Sequence, residues 1–141
     1  MKIETLKNGD SVGGGLVIRD INYRKGDDKA IFTLAGNIVL DDGELYYDDM
    51  NQDFMFNAIK APGVSTIMIE YPDNFTAEYN VGELLWFRNK DAALQGISKS
   101  DLAEMKQGQQ KNLKIRIKDI EFTSAYQSGW GNSCEFVSIE N

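Results

Sequence analysis

From Asn112 to Phe122 the chain reads NLKIRIKDIEF, and the spacing within those residues decides the fold. Leu113, Ile115 and Ile117 alternate with Lys114, Arg116 and Lys118, which is the period of a strand with one dry face and one wet face. At Asp119 the phase slips, so that Ile120 and Phe122 become the apolar set and Asp119 and Glu121 the polar one. Such a slip predicts a β-bulge, a device that bends a strand and recurs where sheets curl. A long bent strand is therefore expected, with the other strands assembling on it.

On the C-terminal side, TSAYQSGWGNS is rich in turn formers, and CEFVSIE then alternates Cys134 and Phe136 against Glu135 before a slip ahead of Val137 and Ile139. This predicts a hairpin whose wide loop carries Tyr126 and Trp130. On the N-terminal side, Ser98 with Asp101 three residues on reads as a capping box. Leu102 and Met105 follow at helical spacing, and Gly108 ends the helix.

Further upstream, LLWFR (84–88) is too short to assign by period, but its aromatics favour a strand. VSTIMIEY and FTAEYNVG pair across residues 72–74, with Tyr79 and Val81 inward. Residues 50–60 fit a helix: Asp49 caps it, Met50, Phe54, Met55, Ala58 and Ile59 form one apolar face, and Ala61-Pro62-Gly63 stops it. Asp41-Asp42-Gly43 between NIVL and ELYY is a turn signal, and Tyr23–Lys29 joins LVIRDINY to AIFTLAG as another hairpin. Residues 2–6 fit a short edge strand. Gly13-Gly14-Gly15 lacks the Lys-Ser/Thr pair or spaced glycine of a phosphate loop, so it is read as a bend.

Together these readings give a single domain, mainly β (α+β). Its antiparallel strands and two short helices form a strongly curved sheet or small barrel. The oligonucleotide-binding-like (OB-like) barrel is one member of this class. Such barrels carry a helix between the third and fourth strands, roughly where residues 50–60 lie.

A chain of 141 residues suffices for one core. It has no histidine and one cysteine, Cys134, which removes Ser-His and Cys-His nucleophilic chemistry and imidazole-based zinc sites. No apolar run suits a membrane span or a signal peptide, so a cytoplasmic setting is expected. Asp49-x-Asn51-x-Asp53 begins like a calcium loop, but Phe54 and Lys60 stand where glycine and glutamate are required. No metal or cofactor is expected.

The net charge is −7, and between Asp41 and Glu83 ten carboxylates face a single lysine, Lys60. A block of this kind attracts basic protein surfaces and repels nucleic acid. In size and charge layout the chain resembles small acidic phage-encoded inhibitors of host defence, including anti-CRISPR proteins, with which it shares no diagnostic motif. That resemblance implies a non-catalytic binder in the cytoplasm of a bacterial host. It would occupy a basic nucleic-acid-binding surface, such as that of a CRISPR nuclease, through Asp41, Asp42, Glu44, Asp48, Asp49 and Asp53.

Two alternatives stand beside it. An OB-type single-strand binder would use Lys111, Lys114, Arg116 and Lys118 with Tyr126 and Trp130 as stacking platforms. Against this, a basic strand face in an acidic protein is expected to pair with its own carboxylates across the sheet. A carboxylate-dependent hydrolase would use Asp49 and Asp53, placed one helical turn apart by the helix over 50–60.

Overall fold

The computed structural model describes residues 1–27, 29–58, 66–72, 75–125 and 129–140, with backbone alone at 27, 124, 125 and 129–131. The strand that opened the sequence reading is β8 (Lys111–Ala125), and its antiparallel partner β3 (Lys29–Asp48) is the longest element of the chain. The others are β1 (Ser11–Gly13), β2 (Leu16–Arg24), β4 (Asp53–Asn57), β5 (Thr66–Tyr71), β6 (Phe75–Asn80), β7 (Leu85–Phe87) and β9 (Gly129–Glu140). Two helices, α1 (Lys90–Leu94) and α2 (Lys99–Lys106), separate β7 from β8.

The sheet order is β1-β2-β3-β4-β7-β9-β8, and β8 pairs again with β3. The strands β3, β4, β7, β9 and β8 thus close a hydrogen-bonded ring, in which only β7 and β9 run parallel. Numbered along the chain, the five members follow the order first, second, third, fifth, fourth and back to first. This is a five-stranded Greek-key barrel, and its helices lie between the third and fourth strands as an OB-like barrel requires.

Two seams of bulges bend the sheet until it closes. In the first, register shifts at Ile18/Asp20 in β2, Leu34/Asn37 in β3 and Lys118/Glu121 in β8 coincide. Asp119 takes a φ of 48° there and Gly36 a φ of 106°, and the Arg19–Asp119 ion pair at 2.9 Å ties β2 to β8 across the bend. In the second, Asp41 and Asp42 bulge from β3, and a register shift between Arg116 and Ile117 leaves Val137 as the extra residue of β9. A closed small barrel needs such local departures from a flat pleat.

The interior is filled from every strand of the ring: Phe32, Leu34, Leu40 and Leu45 of β3, Phe54 and Phe56 of β4, Leu85 and Phe87 of β7, Ile115, Ile117, Ile120 and Phe122 of β8, and Cys134 of β9. Phe32 stacks on Phe122 at 4.7 Å between ring centroids. The β5–β6 hairpin, inserted between β4 and β7, covers that half of the barrel with Tyr79, 4.5 Å from Phe122. The segment before β1 is stitched to this hairpin by Met1 and by a parallel bridge from Lys2 to Glu70. At the other end of β3, Met105 of α2 enters the core, and Lys106 Nζ lies 5.7 Å above the Tyr47 ring.

Several expectations are met. The slip at Asp119 is a bulge, LVIRDINY and AIFTLAG pair, Tyr79 and Val81 face inward, LLWFR contains a strand, and Ser98 Oγ caps α2 by accepting from Asp101 N–H at 3.1 Å.

Four local readings are corrected. Residues 50–58 form a turn and a strand rather than a helix. Phe54, Phe56 and Ala58 are buried at period two, while Met50 is 94% exposed. Asp41-Asp42-Gly43 is a bulge inside β3 rather than a hairpin turn, because β8 pairs with β3 on both sides of it. Residues 3–5 form a single 3-10 turn rather than an edge strand. The last hairpin is tighter than expected, since Gly129–Gly131 already belong to β9 and pair with Thr123–Ala125. Trp130 therefore lies in a strand, whereas Tyr126 lies outside the described residues. The triple glycine turns β1 into β2, with all three residues at positive φ.

Candidate binding face

The outer surface of the ring has two charged regions of opposite character. On β8, each of the four basic side chains singled out by sequence lies beside a carboxylate of this chain. Lys111 Nζ meets Asp101 Oδ2 at 2.7 Å, Lys114 Nζ meets Asp41 Oδ1 at 3.7 Å, Arg116 Nε meets Glu140 Oε1 at 2.9 Å, and Lys118 Nζ meets Glu135 Oε2 at 4.0 Å. Arg116 also donates to Asn37 Oδ1. The Lys111 and Ser98 contacts hold the Asp101 carboxyl below the usual carboxylate range. For Lys114, Arg116 and Lys118 neighbouring strands set opposite charges side by side, which is how a sheet neutralises its own wet face; Lys111 is met from α2 instead.

The acidic block is arranged differently. Glu44, Tyr46 and Asp48 alternate with the inward Leu45 and the partly buried Tyr47, which packs against the core, so they share the outer face of β3. The register places Glu44 opposite Asn57, Tyr46 opposite Met55, and Asp48 opposite Asp53. Two carboxylates directly across an antiparallel pair repel. Asp53 is offset by Lys90 Nζ at 3.0 Å, and Asp48 accepts from Met50 N–H and from the Asn51 side-chain amide. Asp42, Glu44 and Asp49 form no ion pair among the described residues. The sheet thus leaves carboxylates of this face without cations of its own.

Between those carboxylates lies an apolar row that the sequence reading missed. Met55 of β4 is opposite both Tyr46 of β3 and Trp86 of β7. Side chains in register across adjacent strands point to the same side, and the strands lie about 4.8 Å apart. Tyr46, Met55 and Trp86 therefore form one line about 10 Å long on the barrel exterior. Trp86 is 45% exposed, and Leu84 in the turn just before β7 and Met50 at the tip of the β3–β4 turn are exposed as well. Burial and the Asp48 charge push the Tyr46 hydroxyl above its ordinary value.

The position of Trp86 is fixed by its neighbours. Leu84 has a φ of 48°, a costly conformation for a branched side chain. It is held there by Asn57 Oδ1, which accepts from Leu84 N–H at 3.1 Å, and by the buried Asn132, whose amide donates to Glu83 O at 2.9 Å. Beyond Trp86, Arg88 donates to Ser133 Oγ at 2.6 Å and to the Asp119 carbonyl, which turns its guanidinium toward β9 and β8. Asn89 then mimics a strand, accepting from Phe136 N–H at 2.7 Å and donating to Phe136 O at 2.8 Å.

Asp49 and Asp53 are not one helical turn apart, as the hydrolase reading required; Asp49 lies in the turn between β3 and β4 and Asp53 begins β4, where Lys90 engages it. Among the described residues no three His, Cys, Asp or Glu side chains gather as a metal site. The Cys134 thiol, on β9 opposite Phe87 of β7, is buried in the core, where burial pushes its pKa up to about 12, so it is no nucleophile at neutral pH. No helix among the described residues is long and apolar enough to cross a membrane. Compared with known protein families, curated proteins and solved structures, the chain matches none of them.

Proposed function

We propose that this protein is a non-catalytic acidic binder whose β3–β4–β7 face occupies a basic, nucleic-acid-binding surface of a partner protein. The observation that carries the reading is the Asp48–Asp53 opposition beside a Tyr46–Met55–Trp86 row in which Tyr46 and Met55 are half-buried and Trp86 is exposed. Like charges set opposite each other cost folding free energy, and a cationic partner recovers that cost on binding. An aromatic centre inside a polar rim is also the anatomy of a protein interface. The lysines and arginines that hold phosphates equally hold ordered carboxylates, so the partner class is a nucleic-acid-binding protein. A nuclease of the CRISPR type, targeted by a mobile-element-encoded inhibitor, is the expected example.

Competitive displacement tests this. A labelled oligonucleotide bound to such a nuclease is expected to be released by the protein, with an apparent affinity that falls steeply as salt rises. Absence of any salt-sensitive association with basic nucleic-acid-binding proteins would overturn the proposal.

A second reading has one specific observation behind it. Trp86 is an exposed aromatic on the central strands of an OB-like barrel, where single-strand binders stack bases. Its weakness is that the cations beside it, Arg88 and Lys90, are already engaged by this chain's own oxygen atoms. Quenching of tryptophan emission by an oligonucleotide at low salt would support it, and unchanged emission would end it.

A further inference from the structure

Taking the β3–β4–β7 face as the binding surface, we infer that the Tyr46–Met55–Trp86 row is a receptor for an arginine side chain of the partner. The arginine stem would lie on Trp86 and Met55, and its guanidinium on the Tyr46 ring between Glu44 and Asp48.

The row itself sets the occupant. Its length of about 10 Å, two strand spacings, matches an extended arginine side chain with part of its backbone, and not a single aromatic ring. Its two ends differ in charge. At the β7 end, Arg88 follows directly after the strand, two residues from Trp86, with its guanidinium held by Ser133 and by the Asp119 carbonyl. A second cation is repelled there, whereas an uncharged stem is not. At the β3 end, Glu44 and Asp48 stand two residues on either side of Tyr46 on the same outer face. A planar cation on the Tyr46 ring can therefore donate in its own plane to carboxylates on both sides.

This is the arrangement that separates arginine from lysine. Guanidinium stacks on an aromatic face and donates laterally at the same time, while an ammonium is a compact, strongly hydrated point charge. Charge complementarity also argues against a second copy of this chain as the occupant, because the basic side chains of β8 are already paired. The platform is preorganised by the Leu84 and Arg88 contacts, which reduces the ordering cost of binding.

The test uses the full chain carrying Trp130→Phe, which leaves Trp86 as the sole tryptophan. Equal-length oligo-arginine and oligo-lysine peptides are titrated against it at physiological salt, with emission and calorimetry followed together. Oligo-arginine is expected to change Trp86 emission and to bind at least about tenfold more tightly than oligo-lysine, a margin of about 1.4 kcal/mol. Trp86→Ala and Tyr46→Ala are each expected to abolish most of that margin. Trp86→Phe keeps much of it and guards against mere misfolding. Equal binding of the two peptides with unchanged Trp86 emission would overturn the arginine receptor while leaving an acidic binding surface intact. No binding of either peptide at low salt would remove both.

Discussion

The two charged faces of this barrel are made from the same kind of strand and solve opposite problems. On β8, Lys114, Arg116 and Lys118 reach carboxylates on β3 and β9, so the basic stripe is closed within the molecule. On the outer half of β3, the register sets Asp48 against Asp53 and leaves Asp42, Glu44 and Asp49 without an ion pair among the described residues. Charge density alone does not mark a binding surface. What marks it is charge that the sheet fails to neutralise, placed beside apolar side chains that it fails to bury.

The contrast can be broken most severely at Gly43. Its missing side chain is what lets β3 bulge beneath the acidic face, because a Cβ there would lie 2.2 Å from the Phe56 ring. Gly43→Ala is expected to destabilise the fold by about 1–3 kcal/mol, read from denaturant midpoints. It should weaken association in the same variant, while the β8 ion pairs persist.

Cys134 lies in the core beneath both faces and supplies a pH test. Burial raises its thiol from 9.0 to about 12, so the neutral form is favoured by the fold. Stability from this group is complete below the ordinary thiol value and is lost as pH rises through about 12. A denaturation series across that window should show an alkaline loss that Cys134→Ala diminishes.

Asp48→Asn sharpens the comparison, because it should act on stability and association in opposite directions. Removing one of two facing carboxylates is expected to stabilise the fold by about 0.2–1 kcal/mol, less whatever the turn loses at Met50 N–H and Asn51. Binding to a basic probe should weaken and its salt slope flatten. Arg116→Ala is the matching change on the closed face. Because its pair with Glu140 is partly solvated, a loss near the low end of about 0.2–1 kcal/mol is expected, with association unchanged.

Much of the frame was legible because β8 states its own geometry. Alternation through Ile117, then a slip at Asp119, is a one-strand signal that needs no partner to be read. The capping serine of α2 is likewise local. The errors arose where two periods fit one sequence. Met50, Phe54 and Ala58 satisfy helical spacing as well as Phe54, Phe56 and Ala58 satisfy a strand, and pairing with β3 and β7 decides between them. The Asp-Gly step in β3 reads as a turn until β8 is seen to pair with β3 on both sides.

For the candidate site, the acidic residues were visible as composition, but the row at their centre was not. Trp86 sits in a four-residue apolar run, Leu84–Phe87, without a period. Only the inward packing of Leu85 and Phe87 turns it outward, and only the register brings it into line with Met55 and Tyr46. The basic residues had the more conspicuous pattern, and the structure closes them off.

Amide chemical-shift mapping with oligo-arginine tests the difference between the two faces most directly. The account predicts perturbations confined to Glu44–Asn57 and Leu84–Arg88, with Lys114, Arg116 and Lys118 unmoved. Perturbations centred on β8, or none along the Tyr46–Met55–Trp86 row, would contradict it.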